Sequence, residues 1–436
     1  MRRSRTVFLD GLALDRLRVL VLGIAVAGAT TAAVTYAPVS SSLLIVAAAA
    51  LAGAVVLFAS PTLAAALLGL SIPELQDLTG GHLGVHVAAS DIVLVLVTTR
   101  ILADATVMRR FAAMRALRPV RLAAIQYAWF ILVLLVLHAS LDSGVKSLQR
   151  IELFVIPMLV GAYVAIRRDH MLLLRAYVIA TTVLAIAWPI LNSHGLAGQF
   201  QKNPVGQLIV GAILLLVAVR GLRRLWPCMP LLLLGLGLTA SRGALLALVV
   251  GLVVLSVMSG GARRRILVTR TLALVLIGAA IYPWLPSDVT SRLTSYTTTA
   301  GVAGSFAIDV RDAYDHDAEQ LISEHPWTGV GVGNYIAGSP INLTQTTDPH
   351  EVVLLEAAEG GYLFAASFIV LILGGAFALW RLRRVELAAV AAAVLLATAA
   401  HGLVDVYWVR GNPLLGFLLV GMACGLATRR QRGATA

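Results

Sequence analysis

Charge is scarce in this chain. Asp, Glu, Lys and Arg make up 13% of its 436 residues, about half the share of an average soluble domain. Acid is scarcer still: 22 Asp and Glu stand against 34 Lys and Arg, for a formal net charge of +12. Cys228 and Cys424 are the only cysteines. Both lie in apolar segments with no CxxC or His-rich neighbour, which argues against a disulfide framework or a metal site. These shortages exclude a disordered, collagenous or disulfide-stapled chain and argue against a soluble enzyme. What abounds is apolar, with 59% of residues hydrophobic. The sequence pI near 10.4 can signal nucleic acid. Here the arginines sit in short clusters between apolar runs, so no nucleic-acid partner is expected.

A membrane-spanning helix needs roughly 20 mostly apolar residues. Runs of that kind fall at about 19–37, 41–59, 61–73, 87–103, 122–139, 151–167, 171–190, 204–219, 226–240, 243–258, 266–283, 353–379, 386–403 and 413–428. They are rich in Leu, Val and Ala without alternation, so helices are expected rather than lipid-facing strands. The fold class expected is an all-α polytopic membrane protein of about 12–14 transmembrane helices with one long extracytoplasmic loop. The organisation expected is 1–283 as N-terminal helices, 284–350 as the loop, and 351–436 as C-terminal helices. The basic start, Met1 to Arg5, imitates a signal peptide, but the many later spans favour a retained first helix.

Basic residues fix the orientation. With both termini in the cytoplasm, 27 of the 34 basic residues fall on the inner side and 17 of the 22 acids on or near the outer side. The expected location is the cytoplasmic membrane. Lys146, Arg150, Lys202, Arg242, Arg292, Arg311 and Arg410 remain outside. An outward site for an anionic substrate must draw on this short list. Lys146 and Arg410 read as solvated residues of polar connectors.

Residues 284–350 form the one long polar stretch, with eight acids against Arg292 and Arg311. A connection of this length is commonly functional. Its middle, residues 309–327, reads as an amphipathic helix with Tyr314, Ala318, Leu321 and Ile322 on one face. Asp309 or Asp312 is placed to cap its start and Pro326 to end it. A plain solvated helix on the membrane surface is the simpler reading. Gly329, Gly331 and Gly333 follow, a flexible loop able to point backbone N–H groups at an anion. His350 stands where the chain re-enters the membrane and can accept a proton at neutral pH; a purely interfacial hydrogen-bonding histidine is the alternative. Arg242 splits the apolar run 231–257 and falls at the outer tip of a hairpin. A charge there points into a cavity or at a partner, or it snorkels.

These stretches resemble a family. Leu238-Thr-Ala-Ser-Arg-Gly-Ala-Leu-Leu-Ala-Leu-Val-Val-Gly251 resembles the "SRG" hairpin of the O-antigen ligase-like superfamily, which includes O-antigen ligases and O-antigen polymerases. Arg311 and the run His325-Pro-Trp-Thr-Gly-Val-Gly-Val-Gly-Asn334 resemble its outer helix and "P-x-x-G-x-G-x-x-N" loop. His350-Glu-Val-Val-Leu-Leu-Glu-Ala-Ala-Glu-Gly-Gly361 is similar to its "H-N-x-x-L…E-x-G" re-entry, with Glu351 where many members carry Asn. Gly198-Gln-Phe-Gln-Lys-Asn-Pro204 is similar to its "Asn-Pro" turn. The resemblance covers 198–365 best, and a count of 14 spans exceeds the 12 usual in the ligases.

The resemblance implies an inverting, metal-independent glycosyltransferase with no cofactor. It would move a glycan from an undecaprenyl-diphosphate carrier to a glycan, lipid or protein acceptor at the outer face of the bilayer. Arg242 and Arg311 would hold the diphosphate, since guanidinium groups bond phosphate bidentately, and His350 would take the acceptor proton. Lys202, Asn203, Gly331, Gly333, Asn334, Glu351, Glu356 and Glu359 would contact substrate. Glu351, Glu356 and Glu359 could instead orient His350 or only line the cavity. Ligase and polymerase share this scaffold. A lipid-linked glycan transporter or flippase is the competing class; it predicts internal repeats and mid-membrane charges, which the sequence does not display.

Overall fold

The computed structural model describes residues 60–73, 88–103, 109, 111, 114–193, 202–287, 289–290, 301–338, 349–405 and 413–433, with side chains except at 141–142, 262–263, 301–311 and 430–433. The expected spans 19–37 and 41–59 lie outside the described residues, as do Arg292 and Arg410. Every regular element among the described residues is a helix. In chain order they are α1 Pro61–Ser71, α2 Ala89–Ala103, α3 Arg118–Leu137, α4 Leu141–Phe154, α5 Ile156–Arg167, α6 His170–Ser193, α7 Lys202–Ala218, α8 Met229–Thr239, α9 Arg242–Met258, α10 Gly261–Ile281, α11 Gly301–Glu324, α12 Tyr335–Gly338, α13 Val352–Arg381, α14 Glu386–Gly402 and α15 Leu414–Gly433. The chain is an all-α polytopic membrane protein. Five helical stretches are long and apolar enough to cross a membrane, at 115–137, 143–167, 170–192, 264–284 and 352–381. Shorter apolar helices such as α7, α9 and α14 pack among them.

The lipid-facing and protein-facing sides separate as a bilayer requires. Leu122, Ile125, Trp129 and Val136 of α3 are exposed, while Tyr127, Ile131 and Leu134 are buried. α7 is buried along nearly its whole length and forms the centre, between α6, α8, α9 and α14. Small residues allow close helix approach in a setting where burial from water cannot drive association. A Cβ on Gly161 of α5 would lie 1.9 Å from the Leu418 carbonyl oxygen of α15, so these two helices touch backbone to backbone.

Two expectations need correction. Lys146 does not sit in a solvated connector: it lies with Arg150 on α4, whose polar residues face inward. Ser143 and Ser147 are buried while Leu148 is exposed. An apolar solvent inverts the usual amphipathic rule, so the polar stripe turns to the protein interior. Asp309 and Asp312 do not cap the outer helix either. α11 starts at Gly301, two turns earlier, running through Gly304 and Ser305 without a break. Its end at Glu324, ahead of Pro326, agrees with the sequence, and Tyr314, Ala318, Leu321 and Ile322 share its buried face.

Candidate functional site

Helix α13 opens the site. Its start is pinned by a small second core in which Ala318, Leu321 and Ile322 of α11 and Tyr335 of α12 pack on Leu355, Ala357 and Ala358. The Tyr335 hydroxyl donates to the Tyr314 carbonyl at 2.9 Å. The Tyr314 ring stacks on His350, centroids 6.2 Å apart and planes 6° apart. His350 is half-buried there, whereas His316 and His325 are exposed. Glu351 is next to it, and its own burial, then the Asp315 carboxylate, push its carboxyl above the usual range.

α13 breaks at Gly361, which adopts φ 76° and ψ 179°. Such a break strands backbone groups that a regular helix would satisfy. The glycine loop takes them up. Val330 N donates to the Ala358 carbonyl at 3.0 Å, Gly331 N to the Glu359 carbonyl at 2.8 Å, and Tyr362 N to the Pro326 carbonyl at 2.9 Å. Irregular backbone at membrane depth is stable only when protein buries it in this way. Contact is so close that a Cβ at Gly361 would sit 2.4 Å from the Trp327 carbonyl carbon, and one at Gly329 2.3 Å from that of Glu359. Gly331 and Gly333 also have positive φ, and the N–H groups of Gly329, Val330, Gly331 and Asn334 are already engaged by protein carbonyls. Asn334 turns inward and donates from Nδ2 to the Val330 carbonyl.

Beneath the break lies an ion-pair cluster. Arg150 of α4 binds Glu356 through one guanidinium nitrogen and Glu359 through the other. The Tyr127 hydroxyl of α3 donates to Glu356, and Lys146, one turn before Arg150, donates to the Gly333 carbonyl at 2.7 Å. Glu356 and Glu359 are nearly sealed from solvent, at 0% and 2% exposed. Helices α3, α4 and α13 and the loop are thereby tied at one point. The sequence named the two glutamates without their partner. Their i, i+3 spacing, and the i, i+4 spacing of Lys146 and Arg150, were the available signals.

A second group surrounds the hairpin between α8 and α9. Ala240 turns the chain in the left-handed region. Ser241 then caps α9, its hydroxyl accepting from Ala244 N at 3.2 Å, and Thr239 and Ser241 are buried. This leaves Arg242 exposed in the first turn of α9, where the helix dipole adds to its positive charge. The hairpin leans on α7 and α14. A Cβ on Gly243 would meet the His401 ring at 2.4 Å. His401 Nδ1 lies 3.0 Å from Gln207 Oε1, and Gln207 Nε2 donates to Thr398 at 2.9 Å. Asn203 donates to Asp405, and Lys202 is exposed at the start of α7. Gln207, Thr398 and His401 carried no signal in the sequence beyond being polar in apolar runs. Arg311 lies on α11, and its side chain is outside the described residues. Among the described residues, no three His, Cys, Asp or Glu side chains converge to hold a metal ion.

Residues 227–369 match the family model described as O-antigen ligase. The matched stretch is a domain similar to the O-antigen ligase family. That domain starts before the hairpin and ends just past the Gly361 break, so it holds Arg242, the glycine loop, His350 and Glu351. The partners that brace it, Arg150, Lys146, Gln207 and His401, come from outside the matched stretch of the O-antigen ligase-like domain. No curated protein matches the chain.

Proposed function

We propose that this membrane protein is an inverting glycosyltransferase acting on a polyprenyl-diphosphate-linked glycan, in the manner of an O-antigen ligase, with its site on the outer face of the cytoplasmic membrane. The acceptor hydroxyl attacks the anomeric carbon. The bond from that carbon to the diphosphate oxygen breaks, and the lipid diphosphate leaves with the electron pair. His350 takes the hydroxyl proton, and the attack from the opposite face inverts the anomeric centre.

The observation that carries this reading is the setting of His350. It is half-buried, stacked on Tyr314 and beside Glu351, at the mouth of a helix held rigid by the Arg150 cluster. A base must be held in place to contribute its usual ~10²–10⁴-fold. Arg242 supports the same reading, exposed at a helix start where anion binding is favoured. Arg242 and Arg311 together would stabilise the charge growing on the diphosphate, typically the largest catalytic effect. Lys202, Asn203 and Glu351 would bind sugar hydroxyls or phosphate, and Asn334 would hold the loop beside them. Both termini then face the cytoplasm.

The test is the lipid-linked glycan profile of a deletion strain. Accumulation of full-length polymer on the carrier lipid supports a ligase. Accumulation of single repeat units makes the protein a polymerase, and an unchanged profile removes it from lipid-linked glycan chemistry.

A further inference from the structure

A cavity of about 750 Å³ opens at the end of the bundle opposite the hairpin and the loop. Short connectors reverse the chain between successive helices, so the starts of α6 and α14 and the end of α15 lie together there. Arg168, His170, Glu386 and Arg429 supply its polar lining, and apolar residues such as Met171 and Leu426 supply the rest. Arg168 holds a left-handed backbone at the end of α5, φ 73°, which turns the chain directly into α6. The Glu386 carboxylate is engaged by the Arg220 N–H at 2.9 Å. Two guanidinium groups therefore face one occupied carboxylate, and the lining is positive. His170 Nδ1 is shielded from solvent with no hydrogen-bond partner, so one polar atom of the wall lacks the partner that burial demands.

This combination selects a ligand. Positive charge at the rim asks for an anion, and guanidinium groups favour phosphate oxygens. An apolar wall of Met171, Leu426 and their neighbours would be wasted on a free ion but suits the glycerol and first methylenes of an acyl chain. The cavity stands at the arginine-rich ends of the helices, where basic pockets between spans take anionic headgroups. We propose that this cavity binds the phosphate of an anionic phospholipid from the leaflet facing away from the glycan site, with Arg168 and Arg429 on the phosphate and His170 as an additional donor. The site is separate from the transferase chemistry, and its test does not depend on that activity.

The experiment is native mass spectrometry of the full chain released from mixed micelles. Phosphatidylglycerol is compared with phosphatidylcholine of the same acyl chains and with inorganic phosphate. Wild-type protein should retain one phosphatidylglycerol at least about 10-fold more strongly than phosphatidylcholine, and inorganic phosphate in tenfold excess should not displace it. Arg168→Gln with Arg429→Gln should abolish that preference. Arg264→Gln with Arg265→Gln removes the same charge from exposed positions on the same face and should leave it intact. Arg168→Gln alone, at an exposed position, covers the case in which the double variant does not fold and should weaken retention about fivefold. Equal retention of both lipids overturns the proposal. So does equal loss in the two double variants, which would mean general surface attraction, and so does displacement by phosphate, which would mean a free-anion site.

Discussion

The loop region and the hairpin region solve the same problem, holding polar groups at the end of a membrane bundle, by different means. Around Gly361 the means are ionic: one guanidinium, two carboxylates and a lysine lock three helices and a loop. Around Arg242 a neutral chain of amide, hydroxyl and imidazole runs beside the Asn203–Asp405 hydrogen bond, with Gly243 pressed under the ring. The ionic knot carries its charge inward and satisfies it there. The hairpin is braced through Gln207, Thr398 and His401, and its arginine is exposed at the start of α9. The loop region is tied at one point by ion pairs, and the hairpin region by a chain of neutral hydrogen bonds with the Asn203–Asp405 contact beside it.

The comparison breaks first at Arg150. Arg150→Ala leaves two buried carboxylates facing each other without their cation, and should destabilise the protein by about 3–5 kcal/mol, read by thermal unfolding in detergent. Arg150→Lys should recover only part, because an ammonium cannot bond both carboxylates in a fork. An Arg150→Ala protein as stable as wild type would show the knot to be incidental.

Glycine contacts sharpen it next. Gly361→Ala combines a positive φ with a 2.4 Å clash on backbone and should cost about 1–3 kcal/mol. Gly243→Ala meets the His401 ring, which is also buried, and should cost a similar or smaller amount, partly relieved by His401→Ala. Gly260 has nothing within 4 Å of an added Cβ, and Gly260→Ala should cost under about 1 kcal/mol, through its N-cap position alone. Equal melting temperatures for all three variants would contradict the close-docking account.

These sites also mark what the sequence could and could not reveal. The spans were legible because a bilayer admits few alternatives to long apolar helices, and the described helices follow the expected runs closely. The buried face of α11 was legible from helical spacing at Tyr314, Ala318, Leu321 and Ile322. The inward turn of Lys146 and Arg150 was not, since a short polar stretch between spans reads as a connector unless Ser143, Lys146, Ser147 and Arg150 are seen as one helical face. The Gly361 break was hidden for another reason: the Glu359-Gly-Gly361 pattern stood out as a motif, but a glycine in an apolar run does not announce a helix break until the loop is docked on it.

The smallest expected effect is the pH response of Glu351. Its carboxyl is raised in the folded protein by burial and by Asp315, so the folded state holds that proton more tightly than the unfolded chain. Its contribution to stability is full below the unfolded value, about 4.3, and is lost as pH rises through the folded value. Glu351→Gln should flatten this loss, so unfolding curves of wild type and variant should diverge as pH rises above about 4.3. Parallel curves would place Glu351 in water.

The central claim, that His350 takes a proton during transfer from a lipid diphosphate, is tested most directly with purified full-length protein and an undecaprenyl-diphosphate-linked glycan. Release of undecaprenyl diphosphate is measured together with glycan transfer to acceptor. The account predicts coupled release by wild type and by His316→Ala and His325→Ala, and a loss of about 10²-fold or more in His350→Ala with donor binding retained. Release by His350→Ala at the wild-type rate would contradict it.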